Sequence, residues 1–457
     1  MKNSIAIVIL YINIALFSSC DNFVDVALPS SQLTGEKVYQ DATTANAVIV
    51  DIYSKLRDTG SLTGLSTGTS VSLGMYADEL TYYGSGVDSG LPFTNNILPT
   101  SSITSDLWNQ SYHQIYCANA VIEGVQKSSA LSVNDKNKLM GEALFVRALV
   151  HFYLLNIYGS IPYITGTDYE QNRLAERISS DFVYSAIISD LNQAVVLLPE
   201  QYITAERVRP NRSAAYSLLA RVSLYHQQWA QAADAASAVI NNPVYKLEND
   251  LDQTFLKESR STIWQFMPKL NGSNTNEGTS FIFIKGSASF VALSDELINS
   301  FETGDQRRSH WIRAVTDGSS TVYHSFKYKQ NSSTAASKEY SIVFRISEQY
   351  LIRAEARARQ GDLIGAKEDL NKIRNTAGLA NTAAISASEI ITAVLNERRF
   401  ELFTEFGHRF FDLKRTGQLD AVLQSVKPGW ETTDQLWPVP ESELIANPLL
   451  GSQNPGY

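Results

Sequence analysis

Residues 396–417, NERRFELFTEFGHRFFDLKRTG, gather Glu397, Glu401, Glu405, His408, Asp412 and Arg415. On one continuous helix, at about 100° per residue, all six would fall within an arc of roughly 80°. Such a face suits a metal site, an acid/base pair or a polar seam inside a scaffold. Glu405 and His408 have the Glu-x-x-His spacing of di-iron bundles, which need a second such pair and two further carboxylates on facing helices. Three positions before His113, His151, His226, His310 and His324 stand Gln110, Ala148, Ser223, Arg307 and Thr321, so no second pair exists. His-Glu-x-x-His is also absent, which removes the zinc-peptidase motif. Two carboxylates about 5–10 Å apart would suffice for glycoside hydrolysis. Here Arg398, Arg409 and Arg415 interleave with the acids. Guanidinium partners lower carboxylate pKa values, the reverse of what a general acid requires. The stretch reads as a structural polar network. Leu395, Leu402, Phe403, Phe406, Phe410 and Leu413 form the opposing apolar stripe, and Gly407 is where the helix can end or kink.

The elements that position this face belong to a chain of 457 residues, 44% hydrophobic and 19% charged, with net charge −9. That composition is ordinary for a large globular core. There is no basic block to neutralise phosphates, so a nucleic-acid partner is not expected. Lys2, the apolar run Ile5–Phe17 and Ser18-Ser19-Cys20 read as a secretory signal over 1–19. The small residues before Cys20 resemble a bacterial lipoprotein cleavage site, which would leave Cys20 as the lipidated N-terminus. Cys117 is then without a partner for a disulfide, and it reads as a small buried apolar residue. No metal or cofactor is expected.

Most of the remaining chain has helical periodicity. Residues 105–126, 134–159 and 179–199 read as helices capped by Ser105 or Asp106, by Asn134 and by Ser180. Residues 214–240 and 348–374 align at an offset of 134, pairing Tyr216 with Tyr350, Ala220 with Ala354 and Ala232 with Ala366. Each reads as a tetratricopeptide-like helix hairpin, too far apart in sequence for a contiguous array. Residues 59–104 and 242–345 read as non-helical, with strand-like runs such as STIWQFMP, SFIFIKG and TVYHSFKYK, and 271–279 as a mobile loop.

With Cys20, GEALFVRALVHFYLLNIYGSIPYIT (141–165), RISEQYLIRAEARARQGD (345–362), NERRFELFTEFGHRFFDLKRTG and WPVPESELIANPLLGSQNPGY (437–457), the chain resembles the SusD/RagB family of nutrient-binding outer-membrane lipoproteins. The resemblance implies a mostly α fold: one SusD-like domain over 20–457, with a tetratricopeptide-like scaffold and a loop-rich half containing short β-hairpins. Its N-terminal part would be 20–241 and its C-terminal part 242–457. It further implies no catalysis, a lipid-anchored place on the outer membrane, oligosaccharide or similar nutrient as ligand, and a SusC-type TonB-dependent transporter as partner.

Sugars offer flat CH faces and rings of hydroxyls, which call for exposed aromatic platforms with short polar side chains and Arg. Residues 75–93 supply Tyr82, Tyr83 and Asp88; at least one of two adjacent tyrosines in an extended segment must face away from a core. Residues 307–329 read as a hairpin carrying Trp311 and Arg313 on one arm and Tyr323, Phe326 and Tyr328 on the other. The ligand candidates are therefore Tyr82, Tyr83, Asp88, Trp311, Arg313 and Tyr323, with Trp430 a weaker one. Two other classes remain open: an all-α glycoside hydrolase using Asp78, Glu79 or Asp88, and a helical-hairpin scaffold that holds a peptide.

Overall fold

The computed structural model describes residues 35–286, 290–318 and 320–457. The leader and Cys20 lie outside the described residues. Helices Ser102–Lys127, Val133–Tyr158, Ser180–Leu197, Arg212–Tyr225 and Trp229–Ile240 stack each against the next, and Trp229–Ile240 packs directly on Ile346–Arg359, which is followed by Leu363–Thr376. The two repeat hairpins are thus neighbours in one array, although the sequence separates them. Strand Thr262–Phe266 pairs antiparallel with Ser341–Arg345 and closes the base of the long segment between them, so the chain leaves the array and returns to the same place.

Helix boundaries follow local chemistry. Ser132, not Asn134, caps Val133–Tyr158 by accepting from the Asp135 N–H, and Gly159 at φ 77° ends it. Ser179 and Ser101 occupy the N-cap positions of Ser180–Leu197 and Ser102–Lys127, one to several residues before the caps expected from sequence. Val133–Tyr158 is long and apolar enough to cross a membrane, but it is the central helix of the stack and is buried along most of its length. Its polar groups are answered by neighbouring elements: Arg147 pairs bidentately with Asp190 at 2.7 Å, and Glu142 accepts from Tyr53 Oη at 2.6 Å and from Arg209. Arg221 and Glu348 make the same fork, at 2.7 Å, between the two hairpins. Buried charges persist only when paired in this way.

The region 59–104 contains helices Thr69–Tyr76 and Val87–Thr94, correcting the non-helical expectation. Thr69–Tyr76 is buried on every side, so it displays no amphipathic stripe to read. The segment 271–279 is pinned rather than free. Asn274 Nδ2 donates to Ser332 O at 2.9 Å and Thr334 Oγ1 at 3.1 Å, while its Oδ1 accepts from the Lys338 N–H at 2.9 Å. Helix Asn276–Phe281 then starts on Thr275, which accepts from the Gly278 N–H. Asn274→Ala is expected to cost about 1–3 kcal/mol and to open this loop to proteases; urea melts and limited proteolysis report both.

A four-stranded antiparallel sheet, in the order Leu80–Tyr82, Val291–Leu293, Ser320–Ser325, Ile312–Asp317, covers a second apolar cluster. The expected strand in SFIFIKG does not form; Phe281 ends a helix there.

Candidate functional site

The sheet brings the two aromatic segments predicted from sequence onto one surface. Its register runs Leu80↔Leu293↔Tyr323↔Ala314 in one row. The adjacent row carries Thr81, Ala292, His324 and Arg313. Alternation therefore divides the candidates. Tyr82 and Tyr323 share the inward face with Leu80 and Leu293 and pack against the second apolar cluster. Tyr83 and Arg313 share the outward face at its two opposite edges, about 16 Å apart across three strand spacings and two residues of strand rise, and Ala292 and His324 between them are buried.

Tyr83 is 44% exposed and is fixed at the backbone by its N–H donating to Phe290 O at 2.7 Å. Arg313 lies 4.5 Å above the Phe326 ring, which Lys329 covers at 4.4 Å. His324 links Phe326 to Phe283, with ring centroids 5.7 and 4.9 Å apart. Phe283 was read as part of a strand, so its place beside this ladder was not anticipated. Burial lowers the His324 pKa and keeps the ring neutral, an apolar member of the ladder at neutral pH.

Tyr82 serves the local fold: its hydroxyl donates to Gly86 O at 2.7 Å, and its ring fills the space a side chain at Gly90 would need. Arg308 sits 4.7 Å from the half-buried Tyr323 ring. Asp88 is exposed in the first turn of Val87–Thr94. Trp311 is a correction. Only 1% exposed, it packs edge-on against Phe255 and donates its indole N–H to Leu251 O at 3.1 Å, so it offers no face to a ligand. Trp430 is likewise buried and donates to Asp420.

The polar face of residues 396–417 is interior. Ala387–Leu402 ends before Glu405, and Thr404, Phe406 and Gly407 take positive φ to turn into His408–Arg415. The single helical arc is broken, yet the charges converge. Glu397 pairs with Arg307 at 2.7 Å; Glu401 bridges Arg307 and Arg345; Glu405 receives Arg345 Nε and Nη2, both at 2.9 Å, and Lys327. Asp412 pairs with Arg398 at 2.7 Å and Arg415 at 2.8 Å, and Arg415 reaches Glu355. His408 is buried, and that burial, reinforced by the surrounding Arg charges, pushes its pKa well down, leaving it neutral.

Of the carboxylates considered for hydrolysis, Asp78 lines a cavity of about 910 Å³ together with Arg399 and Arg409, and neither Glu79 nor Asp88 joins it there. Burial would raise the Asp78 pKa, but hydrogen bonds and charge from Arg409 and Arg399 hold it below the usual range. Glu79 is 2% exposed, and its carboxyl is pushed up to about 8 by burial and then by Asp78. Asp250, Asp252 and His310 lie close enough to suggest a cation site, yet Asp252 is already engaged by His310 Nδ1 and Lys329 Nζ, each at 3.0 Å.

Residues 84–224 match a family model described as starch-binding, associating with the outer membrane, and residues 299–457 match the model of the SusD family. A SusD-like protein of Formosa agariphila is 25% identical over an alignment covering 100% of both chains. A SusD superfamily protein from Bacteroides vulgatus has a structure that superposes with a TM-score of 0.78 at 21% identity, covering 92% of this chain and 100% of the other. A laminarin-binding SusD-like protein superposes with a TM-score of 0.76 at 25% identity, covering 91% and 99%.

Proposed function

Because the chain belongs to the SusD/RagB family of non-enzymatic, glycan-binding surface proteins, we propose that it captures an oligosaccharide on the outward face of its four-stranded sheet and passes it to a TonB-dependent transporter in the outer membrane. The observation that carries the site is the exposure of Tyr83 and Arg313 at the two edges of one face of that sheet, with the Phe283–His324–Phe326 ladder beside Arg313. An aromatic ring accepts the CH face of a sugar, and a guanidinium donates to its hydroxyls. Their separation suits several linked sugars rather than one. Asp88 is a secondary contact in this reading, whereas Tyr323, on the inward face, is not. A laminarin-binding relative favours a β-glucan among the possible ligands. Anchoring through an acylated Cys20 would hold the protein beside its transporter.

Tyr83→Ala and Arg313→Ala are each expected to weaken binding about tenfold, roughly 1.4 kcal/mol, with melting temperature unchanged. Isothermal titration of the mature chain with oligosaccharides of laminarin, starch and inulin checks this. Full affinity in both variants would remove the sheet from the reading. Co-purification of a barrel transporter from detergent-solubilised membranes tests the partner.

A further inference from the structure

A second cavity of about 430 Å³ lies between helix Ser102–Lys127, the loop from Pro162 to Arg173 and helix Glu441–Ala446, and shares no residue with the sheet. Its walls are aromatic. Tyr116 is 49% and Tyr169 72% exposed, while Tyr112 is half-buried against Trp108, with ring centroids 5.0 Å apart. Three polar groups here have no side-chain partner among the described residues: the indole N–H of the buried Trp108, the amide of the exposed Asn109 and the carboxyl of the half-buried Glu443. Burial raises the Glu443 pKa, in keeping with a carboxyl that has no countercharge.

The frame around these groups is rigid. Glu123 accepts from the Thr167 N–H at 2.8 Å and its hydroxyl at 2.9 Å; Asn119 Nδ2 donates to Ile164 O at 3.1 Å; Tyr112 Oη donates to Pro162 O at 2.9 Å. The loop that presents Tyr169 is therefore tied to the helix that presents Tyr116. Preorganised rings and unsatisfied donors and acceptors lose little freedom on meeting a ligand.

We propose that this cavity is a second carbohydrate subsite, taking one or two pyranose rings. Tyr116 and Tyr169 contact the sugar faces, Glu443 accepts from hydroxyls, and Trp108 and Asn109 donate to ring or hydroxyl oxygens. A purely apolar ligand would leave the Glu443 carboxyl and the Trp108 N–H desolvated and unpaired, a cost that hydroxyls remove. The proposal rests on the reading of this chain as a glycan-binding protein and adds a second locus to it.

The test titrates short laminarin, starch and inulin oligosaccharides into the mature chain and four variants. Y83A/R313A removes the sheet contacts; Y116A/Y169A, E443Q and N109A alter the cavity at exposed or unpaired groups that the fold does not use. Two binding classes are expected for at least one sugar in the parent. Y116A/Y169A should weaken one class at least tenfold, E443Q should weaken the same class, and Y83A/R313A should affect only the other. A single class abolished by Y83A/R313A and untouched by the cavity variants overturns the subsite while sustaining the sheet reading. Weakening by the cavity variants alone supports the cavity and removes the sheet. No binding of any of these sugars to the parent overturns both. A crystal soaked with the binding oligosaccharide must show density between Tyr116 and Tyr169; density elsewhere only rejects the subsite.

Discussion

Glu401→Ala is expected to destabilise the protein by about 3–5 kcal/mol, the cost of breaking a buried ion pair by removing one partner. Glu401 lies between Arg307 and Arg345, both almost fully buried. Burial alone would raise its pKa, but Arg345 and Arg307 outweigh that and hold it at about 2. Without Glu401, Arg345 keeps Glu405 and Ser347, and Arg307 keeps Asp305 and Glu397, but the bridge between them is gone. The two arginines then face each other with less neutralising charge. Glu401→Gln, which keeps shape and one acceptor, should cost less, about 3 kcal/mol near neutral pH. The sign of its pH dependence follows from the depressed pKa. The carboxylate's contribution is complete above about 4.5 and is lost as pH falls towards 2. Urea melts at pH 7 and pH 3.5 should therefore show the gap between parent and Glu401→Gln narrowing in acid. A gap below about 0.5 kcal/mol at pH 7 would show that the pair contributes no net stability, as some buried pairs do.

The acidic face that dominates residues 396–417 was legible in sequence as a polar network because Arg398, Arg409 and Arg415 stand among its acids. What sequence could not supply was the remaining charge. Arg307, Lys327 and Arg345 come from the segment before the second hairpin and reach Glu401 and Glu405 only once the chain has folded back. The hairpins themselves were legible from small residues at matched positions, but their direct stacking was not. It depends on Thr262–Phe266 pairing with Ser341–Arg345, two strands buried on both faces and so without alternation to read. The hairpin bearing Arg313 and Tyr323 was legible, and the outward turn of one of two adjacent tyrosines followed from strand geometry. Trp311 was misjudged for a long-range reason: its indole acceptor, Leu251 O, lies 60 residues earlier in the chain. Tyr116 is the converse case. Its spacing from Tyr112 and Ile115 matches a core stripe, yet it faces outward into a cavity whose other walls come from the Pro162–Arg173 loop and the C-terminal helix.

Glu79→Gln is expected to be no more stable than the parent at pH 5 and more stable by about 3–5 kcal/mol at pH 8. Glu79 is buried beside Asp78, whose negative charge is already committed to Arg399 and Arg409. Burial first, and the Asp78 charge second, push the Glu79 carboxyl up to about 8, with Arg409, Lys327 and the Thr404 N–H offsetting only part of this. In the unfolded chain the same group ionises near 4.5. Between those values the folded state must retain a proton that the unfolded state has released, so native stability falls as pH rises through this window. The amide has no proton to lose in that range, and its carbonyl oxygen can still accept from the Thr404 N–H. One carboxyl oxygen of Glu79 has no partner, so at low pH the amide replaces one unsatisfied group by another and gains nothing. Thermal or urea melts of parent and variant across pH 5–8 read the difference directly. A parent–variant gap that stays flat across this range would mean that Glu79 is already ionised inside the folded protein, with Arg409 and Lys327 compensating it in full. A gap that opens with pH identifies it as a neutral acid whose burial sets the alkaline limit of this fold.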